Sequence, residues 1–379
     1  MLRCLKSSYF NRSSRLDAIG PSIWSSILVD MLIFGNYAIR IWILRSKFMK
    51  AQGVAYRNLG RTGLKVSQIC LGTAFRGQAD ENTCIRVIDR AIDLGCNFID
   101  TALYGGGQSE TFVGKALKDK RDDIVLCTKV FGSIGNSPNH VGLSRLNLLR
   151  ALEDSLRRLQ TDYVDLYLMH AFDANTPLEE TLRALDDMVR QGKVRYIGCS
   201  RFPAWKVMES LWISDVHNWE KLVCIQNQYN LLNRGEIEAE LIPLCEQFGL
   251  GIMTFSPLAI GLLTGKFRRG QTPPPGTPWS EEKLEGLSPG KYNFKEAMTG
   301  RVDRIIQTLI EISAKHGQTP AQIAIAWVLA QDQISSPILG ADLPEHVDEI
   351  FAGLNCQLDS EDLASLDQVS RVEPIQRYA

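Results

Sequence analysis

Short apolar runs alternate with amphipathic helical stretches from residue 56 onwards, and this alternation constrains the fold more than any other feature of the chain. The runs have strand length and are mostly apolar throughout, as strands buried on both faces of a parallel sheet are. The eight runs are Ser67–Leu71, Asn97–Asp100, Ile124–Lys129, Val164–His170, Val194–Ser200, Leu222–Gln226, Gly251–Ser256 and Ser336–Leu339. Strands that alternate with helices predict parallel βαβ units, and eight such units predict a (β/α)8 TIM barrel.

Two doubly wound domains are the alternative fold, but no GxGxxG motif follows the first predicted strand. Two segments predict helix starts, because each has Thr at the N-cap, Pro at the first helical position and Glu or Gln at N3. They are Thr176-Pro177-Leu178-Glu179 and Thr319-Pro320-Ala321-Gln322. A long insertion rich in Pro and Gly, Arg268–Gly300, follows the seventh strand and exceeds the length of an ordinary connection. A lid over a ligand and a passive surface insertion both explain it.

The first fifty residues differ in charge from the rest. They hold eight basic and two acidic residues, a net charge of +6, which leaves −7 for the remaining chain. Residues 1–16 are basic and free of acid, as in a mitochondrial presequence, while Asp30 and Arg40 interrupt the apolar residues 18–44 before a spanning length of roughly 18 residues is reached. We expect residues 1–50 to be an N-terminal extension outside the fold and residues 55–375 to form the barrel. A membrane anchor and a mitochondrial presequence are the alternatives for the extension.

Charge and cysteine content exclude several classes of protein. A net charge of −1 provides no basic field for nucleic acid. The nine cysteines are odd in number and form no CxxC motif, and the five histidines do not cluster, so neither a disulfide framework nor a metal site is expected. Cysteines within apolar runs are typical of buried, reduced thiols, which predicts a reducing compartment such as the cytoplasm.

Polar side chains stand at the carboxyl ends of the predicted strands, where barrels carry their catalytic groups. They are Asp100, Lys129, His170, Ser200, Gln226 and Ser256, with Tyr104 just past Asp100. The presence of any single one of these polar residues is explained by contact of the strand end with solvent. Three of the first four strands end in Asp100, Lys129 and His170, however, which predicts a shared cavity.

The chemistry of this set is coherent. A Lys ammonium beside a phenol favours the phenolate and so makes the phenol a better proton donor, and an Asp keeps the Lys charged and in place. A neutral His can hydrogen-bond a carbonyl oxygen. Such a set can protonate a carbonyl oxygen while hydride reaches the carbon, and because no side chain supplies hydride, a nicotinamide cofactor is required. A Schiff-base aldolase that uses Lys129 is another hypothesis.

Several motifs in order resemble the aldo-keto reductase family over about residues 55–370, among them NFIDTALYGGGQSE, DLYLMHAFD, GKVRYIGCS, TFSPLAIGLLTGK and PILGADLPEHVDE. The resemblance implies a (β/α)8 barrel that reduces an aldehyde or ketone, or oxidises an alcohol or sugar, with NAD(P)(H). It implies Tyr104 as general acid and His170 as the residue that orients the substrate. Lys129 and Asp100 are implied as the pair that tunes Tyr104.

The resemblance also implies a cofactor site on the rim of the barrel. Ser200, Arg201 and Gln226 match the positions around the nicotinamide carboxamide, and Phe255 matches the aromatic residue that stacks on the ring. The other cofactor positions are Gly72, Thr73, Asp100, Ser256, Pro257, Leu258, Gly261, Leu263 and Lys266, with Gly340, Asp342 and His346 near the adenosine phosphate.

Three departures from the family pattern bear on activity. Asp100 and Tyr104 lie four residues apart where the family usually has five, and Arg201 stands where Asn is usual. Asp342 stands where the family often has an Arg that pairs with a 2′-phosphate, although Arg268 or Arg269 could compensate. We expect NADP(H), with NAD(H) as the alternative. The alternative function is a cofactor-binding regulatory module with weak or no turnover, similar to the potassium-channel beta subunits of this superfamily.

Two further patterns predict local structure. Gly105-Gly106-Gly107 predicts a tight turn into a helix more readily than a phosphate cradle. Trp205, Trp212 and Trp219 recur every seven residues, which predicts a packed helix edge more readily than a ligand box.

Overall fold

The computed structural model describes residues 54–75, 80–132, 135–275, 277–280 and 292–372. In this part of the chain, eight parallel strands close into a barrel surrounded by helices, so the predicted (β/α)8 barrel is confirmed. The N-terminal extension predicted for residues 1–50 lies outside the described residues and stays a prediction.

The described residues form ten strands, of which the first two pair as an antiparallel hairpin and the other eight form the barrel in the order β10-β3-β4-β5-β6-β7-β8-β9. The strands are β1 (Tyr56–Asn58), β2 (Lys65–Ser67), β3 (Cys70–Gly72), β4 (Phe98–Asp100), β5 (Val125–Val130), β6 (Val164–Met169), β7 (Val194–Ser200), β8 (Leu222–Gln228), β9 (Gly251–Phe255) and β10 (Ile334–Gly340).

Helices follow the barrel strands in the βαβ manner. Over the described residues they are α1 (Glu81–Asp93), α2 (Gln108–Leu117), α3 (Arg145–Leu159), α4 (Leu178–Arg190), α5 (Ala204–His217), α6 (Ile242–Phe248), α7 (Phe294–Ala297), α8 (Gly300–His316), α9 (Pro320–Leu329), α10 (Pro344–Ala352) and α11 (Ser360–Ser370). None of the helices in the described ranges combines the length and the hydropathy that a membrane span requires.

The hairpin of β1 and β2 packs on the N-terminal end of the barrel and was not predicted. Leu59 and Val66 are fully buried among the side chains inside the barrel. Gly60 permits the turn to approach β9, because a Cβ added there would lie 2.5 Å from the backbone nitrogen of Gly251. The bounds of the predicted first strand, Ser67–Leu71, are therefore wrong: they straddle the end of β2 and the start of β3.

Two apolar layers explain why the barrel strands are apolar on both faces. Successive side chains of a strand point to opposite faces. Phe98 and Leu168 pack inside the barrel, whereas their neighbours Ile99 and Tyr167 pack between the barrel and the helices. Strands with this double burial give the continuous apolar runs that predicted the fold.

The two predicted capping boxes have different outcomes. At α9, the Thr319 hydroxyl accepts from the backbone N–H of Gln322, and the Gln322 side chain accepts from the backbone N–H of Thr319, as predicted. At α4 the prediction is wrong, because Pro177 precedes the helix without a side-chain cap. Thr176 instead donates to Oδ2 of Asp173 at 2.8 Å, and a carboxylate is the stronger acceptor.

The packed edge predicted for the spaced tryptophans is wrong for two of them. Trp205 and Trp212 on α5 are 62% and 59% exposed. Trp219 lies beyond the helix and stacks on His217, with ring centroids 4.4 Å apart. A spacing of seven puts side chains on one helix face but does not decide whether that face points inwards.

The described parts of the insertion pack on the loop that follows β9. The Trp279 ring is buried and its centroid lies 5.3 Å from that of Tyr292 and 6.4 Å from that of Phe294. Phe294 in turn lies 6.1 Å from Phe267, close to the start of the insertion. The lid and the passive insertion both stay predictions, because residues 276 and 281–291 lie outside the described residues.

Candidate active site

The register of two neighbouring strands brings Asp100 and Lys129 into contact. Asp100, the last residue of β4, pairs with Cys127 of β5. Residues two apart on a strand point the same way, so Cys127 and Lys129 both face the barrel interior. Lys129 lies nearer the C-terminal end, and its Nζ donates to Oδ1 and Oδ2 of Asp100 at 2.7 and 2.6 Å.

The Lys129 ammonium is buried and has three acceptors. Besides the two carboxylate oxygens, Nζ donates to the backbone carbonyl of Thr101 at 2.9 Å. Burial acts to lower the pKa of Lys129, but the Asp100 charge outweighs it and raises the pKa above its ordinary value. An ammonium has three N–H donors, so this amine is protonated and fully engaged. A Schiff-base role, which needs a free amine, does not fit this arrangement.

Asp100 also interacts with two side chains that were not predicted to lie near it. Gln226 on β8 donates from Nε2 to Oδ1 of Asp100 at 2.9 Å. Burial together with the nearby Asp100 charge raises the pKa of the Cys127 thiol well above its usual value. Cys127 is therefore a neutral thiol. The carboxylate thus receives donors from Lys129 and Gln226, and no motif in the sequence signals the contact with Gln226.

Tyr104 lies beside Lys129 and His170 despite the short loop. It begins a 3₁₀ turn, Tyr104–Gly107, and its ring centre lies 5.7 Å from the Nζ of Lys129. The ring meets the His170 imidazole edge to face, with centroids 6.1 Å apart. Gly105 and Gly106 have φ values of 58° and 65°, which glycine adopts without strain. The predicted tight turn is confirmed, and it redirects the chain within four residues.

His170 is a neutral side chain at this site. It follows β6, and its backbone N–H donates to the carbonyl of Val130 at 2.9 Å. Burial, reinforced by the positive charges of Lys129 and Arg201, lowers the pKa of His170 from 6.5 to about 3. A neutral imidazole has one N–H donor and one acceptor. His170 can therefore hydrogen-bond a carbonyl oxygen without carrying a net charge.

Arg201 and Phe255 are neighbours on the rim. The guanidinium carbon of Arg201 lies 5.2 Å from the centre of the Phe255 ring. Arg201 has a left-handed φ of 58°, and its backbone N–H donates to the carbonyl of Gln226 at 3.2 Å. The structure thus groups three residues that the resemblance assigns to the nicotinamide end of a cofactor.

Ser200 provides a test of whether a nicotinamide fits. It ends β7, pairs in register with Gln226 and is 1% exposed. Its Oγ has no hydrogen-bond partner within the described residues. A buried polar atom without a partner is rare and costs about 1–3 kcal/mol. The amide of a nicotinamide offers both a donor and an acceptor, so the group fits beside Ser200.

The loop after β9 has a strained backbone. Ser256, Ala259 and Ile260 have φ values of 54°, 49° and 57°, and Gly261 follows at 86°. A left-handed φ is a genuine outlier for a β-branched residue such as Ile, and such outliers cluster at functional sites. The cofactor residues predicted here are Ser256, Pro257, Leu258, Gly261, Leu263 and Lys266, of which Pro257 and Leu263 are buried and Lys266 is exposed.

Gly72 and Thr73, predicted as cofactor residues, make contacts within the barrel rim. The Thr73 hydroxyl lies 2.9 Å from Oγ of Ser109 and donates to the backbone carbonyl of Asp100 at 3.1 Å. Ser109, in the first turn of α2, donates back to the carbonyl of Thr73 at 2.6 Å. A Cβ added at Gly72 would lie 2.7 Å from Ile338, so a side chain there would clash. These contacts join β3, β4 and α2 below the site.

The predicted adenosine end lies between β10 and α10. Gly340 ends β10, and Asp342 and His346 flank the start of α10. Arg268, which could compensate for the charge of Asp342, is paired with Asp303 of α8 at 3.0 Å. Arg268 would have to give up this ion pair to meet a 2′-phosphate.

Metal sites and disulfides are absent from the described part of the chain. No three His, Cys, Asp or Glu side chains group there as metal ligands. The eight cysteines of these residues form no disulfide, and seven of them are buried.

Comparisons with known proteins show which family the chain belongs to. The model of the aldo/keto reductase family matches residues 68–371. The uncharacterized oxidoreductase YrpG of Bacillus subtilis (strain 168) is 36% identical over 328 residues, which cover 83% of this chain and 95% of that protein.

Two further relatives are named as channel subunits. A probable voltage-gated potassium channel subunit beta of Oryza sativa subsp. japonica is 35% identical, over 79% of this chain and 91% of its own. A putative voltage-gated potassium channel subunit beta of Schizosaccharomyces pombe is 36% identical, over 86% of this chain and 96% of its own. With a family model that spans most of the chain and relatives aligned over nearly their full length, the chain belongs to the aldo/keto reductase family of oxidoreductases.

Proposed function

We propose that the protein reduces an aldehyde or ketone, or oxidises the corresponding alcohol or sugar, by hydride transfer with NAD(P)(H). One observation carries the proposal: Tyr104 and a neutral His170 lie beside the Lys129–Asp100 ion pair at the carboxyl ends of the barrel strands. Membership of the aldo/keto reductase family supports the same chemistry.

A nicotinamide cofactor supplies the hydride when bound. Ser200, Arg201 and Gln226 would hold its carboxamide, and Phe255 would stack on its ring. The loop after β9 would hold the pyrophosphate, and Gly340, Asp342 and His346 would lie at the adenosine end. NADP(H) is the first choice. NAD(H) is the alternative, because the Asp342 carboxylate repels the 2′-phosphate that only NADP(H) carries.

The side chains of this protein handle the proton. The Tyr104 hydroxyl donates its proton to the carbonyl oxygen as the carbonyl carbon gains hydride, and the product is the alcohol. The Lys129 ammonium stabilises the phenolate that Tyr104 becomes, and Asp100 keeps Lys129 charged and in place. His170 donates an N–H to the carbonyl oxygen and fixes its direction. Solvent then returns a proton to Tyr104.

The substrate class is a small aldehyde, ketone or sugar. In barrels of this type, the loops after the strands set specificity. Residues 76–79 and 133–134, in two of these loops, lie outside the described residues. The cytoplasm remains the proposed compartment, in keeping with the buried cysteines of the described residues, which form no disulfide.

The test is consumption of NADPH and of NADH by the purified protein with a panel of short aldehydes, ketones and aldoses. We expect turnover of at least one carbonyl compound. Cofactor binding is measured in parallel by fluorescence. A protein that binds cofactor and turns over none of the panel contradicts the proposal.

A cofactor-binding regulatory module is the second candidate, and the names of two relatives favour it. Both are described as potassium channel beta subunits, and the chain aligns with most of their length. Tight cofactor binding without chemistry in the same experiment supports this candidate over the first.

A further inference from the structure

Trp279 contacts the loop after β9 from outside the candidate active site. Its indole N–H donates to the backbone carbonyl of Ile260 at 2.8 Å. The side chain is only 7% exposed, and its ring packs against Tyr292 and Phe294. A residue of the insertion thus holds the loop of residues 256–266, which we call the rim loop.

The contact falls where the rim loop is most strained. Ala259, Ile260 and Gly261 are consecutive residues with φ values of 49°, 57° and 86°. Isolated Ala and Ile rarely adopt a left-handed φ, so the surrounding structure must hold them there. Within the rim loop, the backbone N–H of Gly261 donates to Leu258 at 2.9 Å and the N–H of Leu262 to Ala259 at 3.2 Å. These bonds close the turn, and Trp279 adds a side-chain bond from outside it.

We propose that Trp279 is a positioning residue for cofactor binding, because its indole N–H holds the rim loop in its left-handed conformation. The inference rests on the proposed function, in which the rim loop cradles the cofactor pyrophosphate. Trp279 itself would touch no reacting atom.

The expected loss of cofactor affinity depends on the fraction of molecules whose rim loop has the conformation that binds the cofactor. The apparent dissociation constant equals the intrinsic constant divided by the competent fraction. If loss of the indole N–H reduces this fraction to about one tenth, cofactor affinity falls about tenfold.

The first experiment measures the dissociation constant and the dissociation rate of NADPH and NADH by nucleotide fluorescence. Trp279→Phe keeps an aromatic ring against Tyr292 and Phe294 but lacks the N–H donor. We expect its cofactor affinity to fall about tenfold, mainly through faster dissociation, relative to the unmodified protein. Trp205→Phe, at an exposed ring on α5, is the matched control and should leave both quantities unchanged.

A merely structural role for Trp279 predicts a different result. In that case Trp279→Phe lowers the melting temperature, but the folded protein binds NADPH and NADH as tightly as before. That outcome overturns the proposal. Failure of the unmodified protein to bind either nucleotide would instead contradict the proposed function.

A double-mutant comparison tests the link to backbone strain. Ile260→Gly removes the penalty for a left-handed φ, since glycine adopts it freely. We expect Trp279→Phe to weaken binding less than about threefold in the Ile260→Gly background, against about tenfold in the unmodified one. Equal effects in both backgrounds would overturn the claim that Trp279 acts by holding the strained turn.

Discussion

Gln226 donates a hydrogen bond from Nε2 to Oδ1 of Asp100 at 2.9 Å, from the far side of the barrel. The same Oδ1 accepts from Lys129 at 2.7 Å. A Gln amide has a second N–H and a carbonyl oxygen, so one side chain can contact both Asp100 and a nicotinamide carboxamide. The bond therefore connects the proposed cofactor site with the ion pair that supports Tyr104.

Gln226→Leu should impair both cofactor binding and chemistry. A hydrogen bond to a charged group contributes about 1.5–3 kcal/mol, so we expect kcat/KM to fall by about 10–100-fold. The affinity for NADPH should fall in the same variant. The control is Gln228→Leu, at an exposed position of the same strand. Normal cofactor affinity together with normal kcat/KM in Gln226→Leu would refute the connection.

Lys129→Met should cost stability as well as turnover. It leaves the buried Asp100 carboxylate without its cation, and breaking a buried pair in this way costs about 3–5 kcal/mol of the free energy of unfolding. Adding Asp100→Asn removes the uncompensated charge, so the double variant should regain most of the stability and none of the turnover. Urea unfolding and steady-state kinetics measure the two effects. A double variant as unstable as Lys129→Met would count against the ion-pair argument.

Stability should fall in acid because His170 resists protonation. Its pKa is about 3 in the folded protein and 6.5 is its ordinary value, so between these pH values the unfolded chain binds more protons. This contribution to the free energy of unfolding is fully present above pH 6.5 and is lost as the pH falls towards 3, with a total on the order of 5 kcal/mol.

The measurement is the free energy of unfolding of the unmodified protein and of His170→Asn between about pH 5.5 and 7, above the range where most carboxylates titrate. We expect a shallower slope in the variant. Parallel slopes would mean that His170 titrates normally in the folded protein. In the unmodified enzyme, the pH profile of kcat/KM should likewise show no change near pH 6.5 that arises from titration of His170.

Asp342→Asn should shift the cofactor preference towards NADPH. Removing one negative charge near a 2′-phosphate favours NADPH by roughly threefold to tenfold at low ionic strength, and salt should reduce the gain. The ratio of kcat/KM for NADPH and NADH measures the shift. Glu345→Gln, at an exposed carboxylate in the first turn of α10, is the control. An unchanged ratio would place the 2′-phosphate away from Asp342.

The barrel and the ends of most of its strands could be predicted because doubly buried strands leave a strong apolar signal in the sequence. Asp100, Lys129 and His170 could be predicted to lie close together, because the carboxyl ends of the parallel strands meet at one rim of the barrel. The hairpin of β1 and β2 was missed because the residues of β1 are exposed or half-buried and leave no apolar run in the sequence.

Contacts that depend on closure of the barrel could not be predicted. Gln226 and Asp100 are 126 residues apart, and their bond depends on the register of every strand between them. The bond from Trp279 to Ile260 ends on a backbone carbonyl, which carries no sequence signal. The effect of the short loop at Tyr104 depends on glycine φ values that a count of residues does not provide.

Transfer of deuterium tests the central claim most directly. The protein is incubated with an aldehyde substrate and NADPH that carries deuterium at both C4 positions, and the alcohol is analysed by mass spectrometry. We predict one deuterium on the carbinol carbon with the unmodified protein. Tyr104→Phe should bind the cofactor normally and form labelled product at least about a hundredfold more slowly. Product without deuterium, or equal rates for the two proteins, would contradict hydride transfer with Tyr104 as the acid.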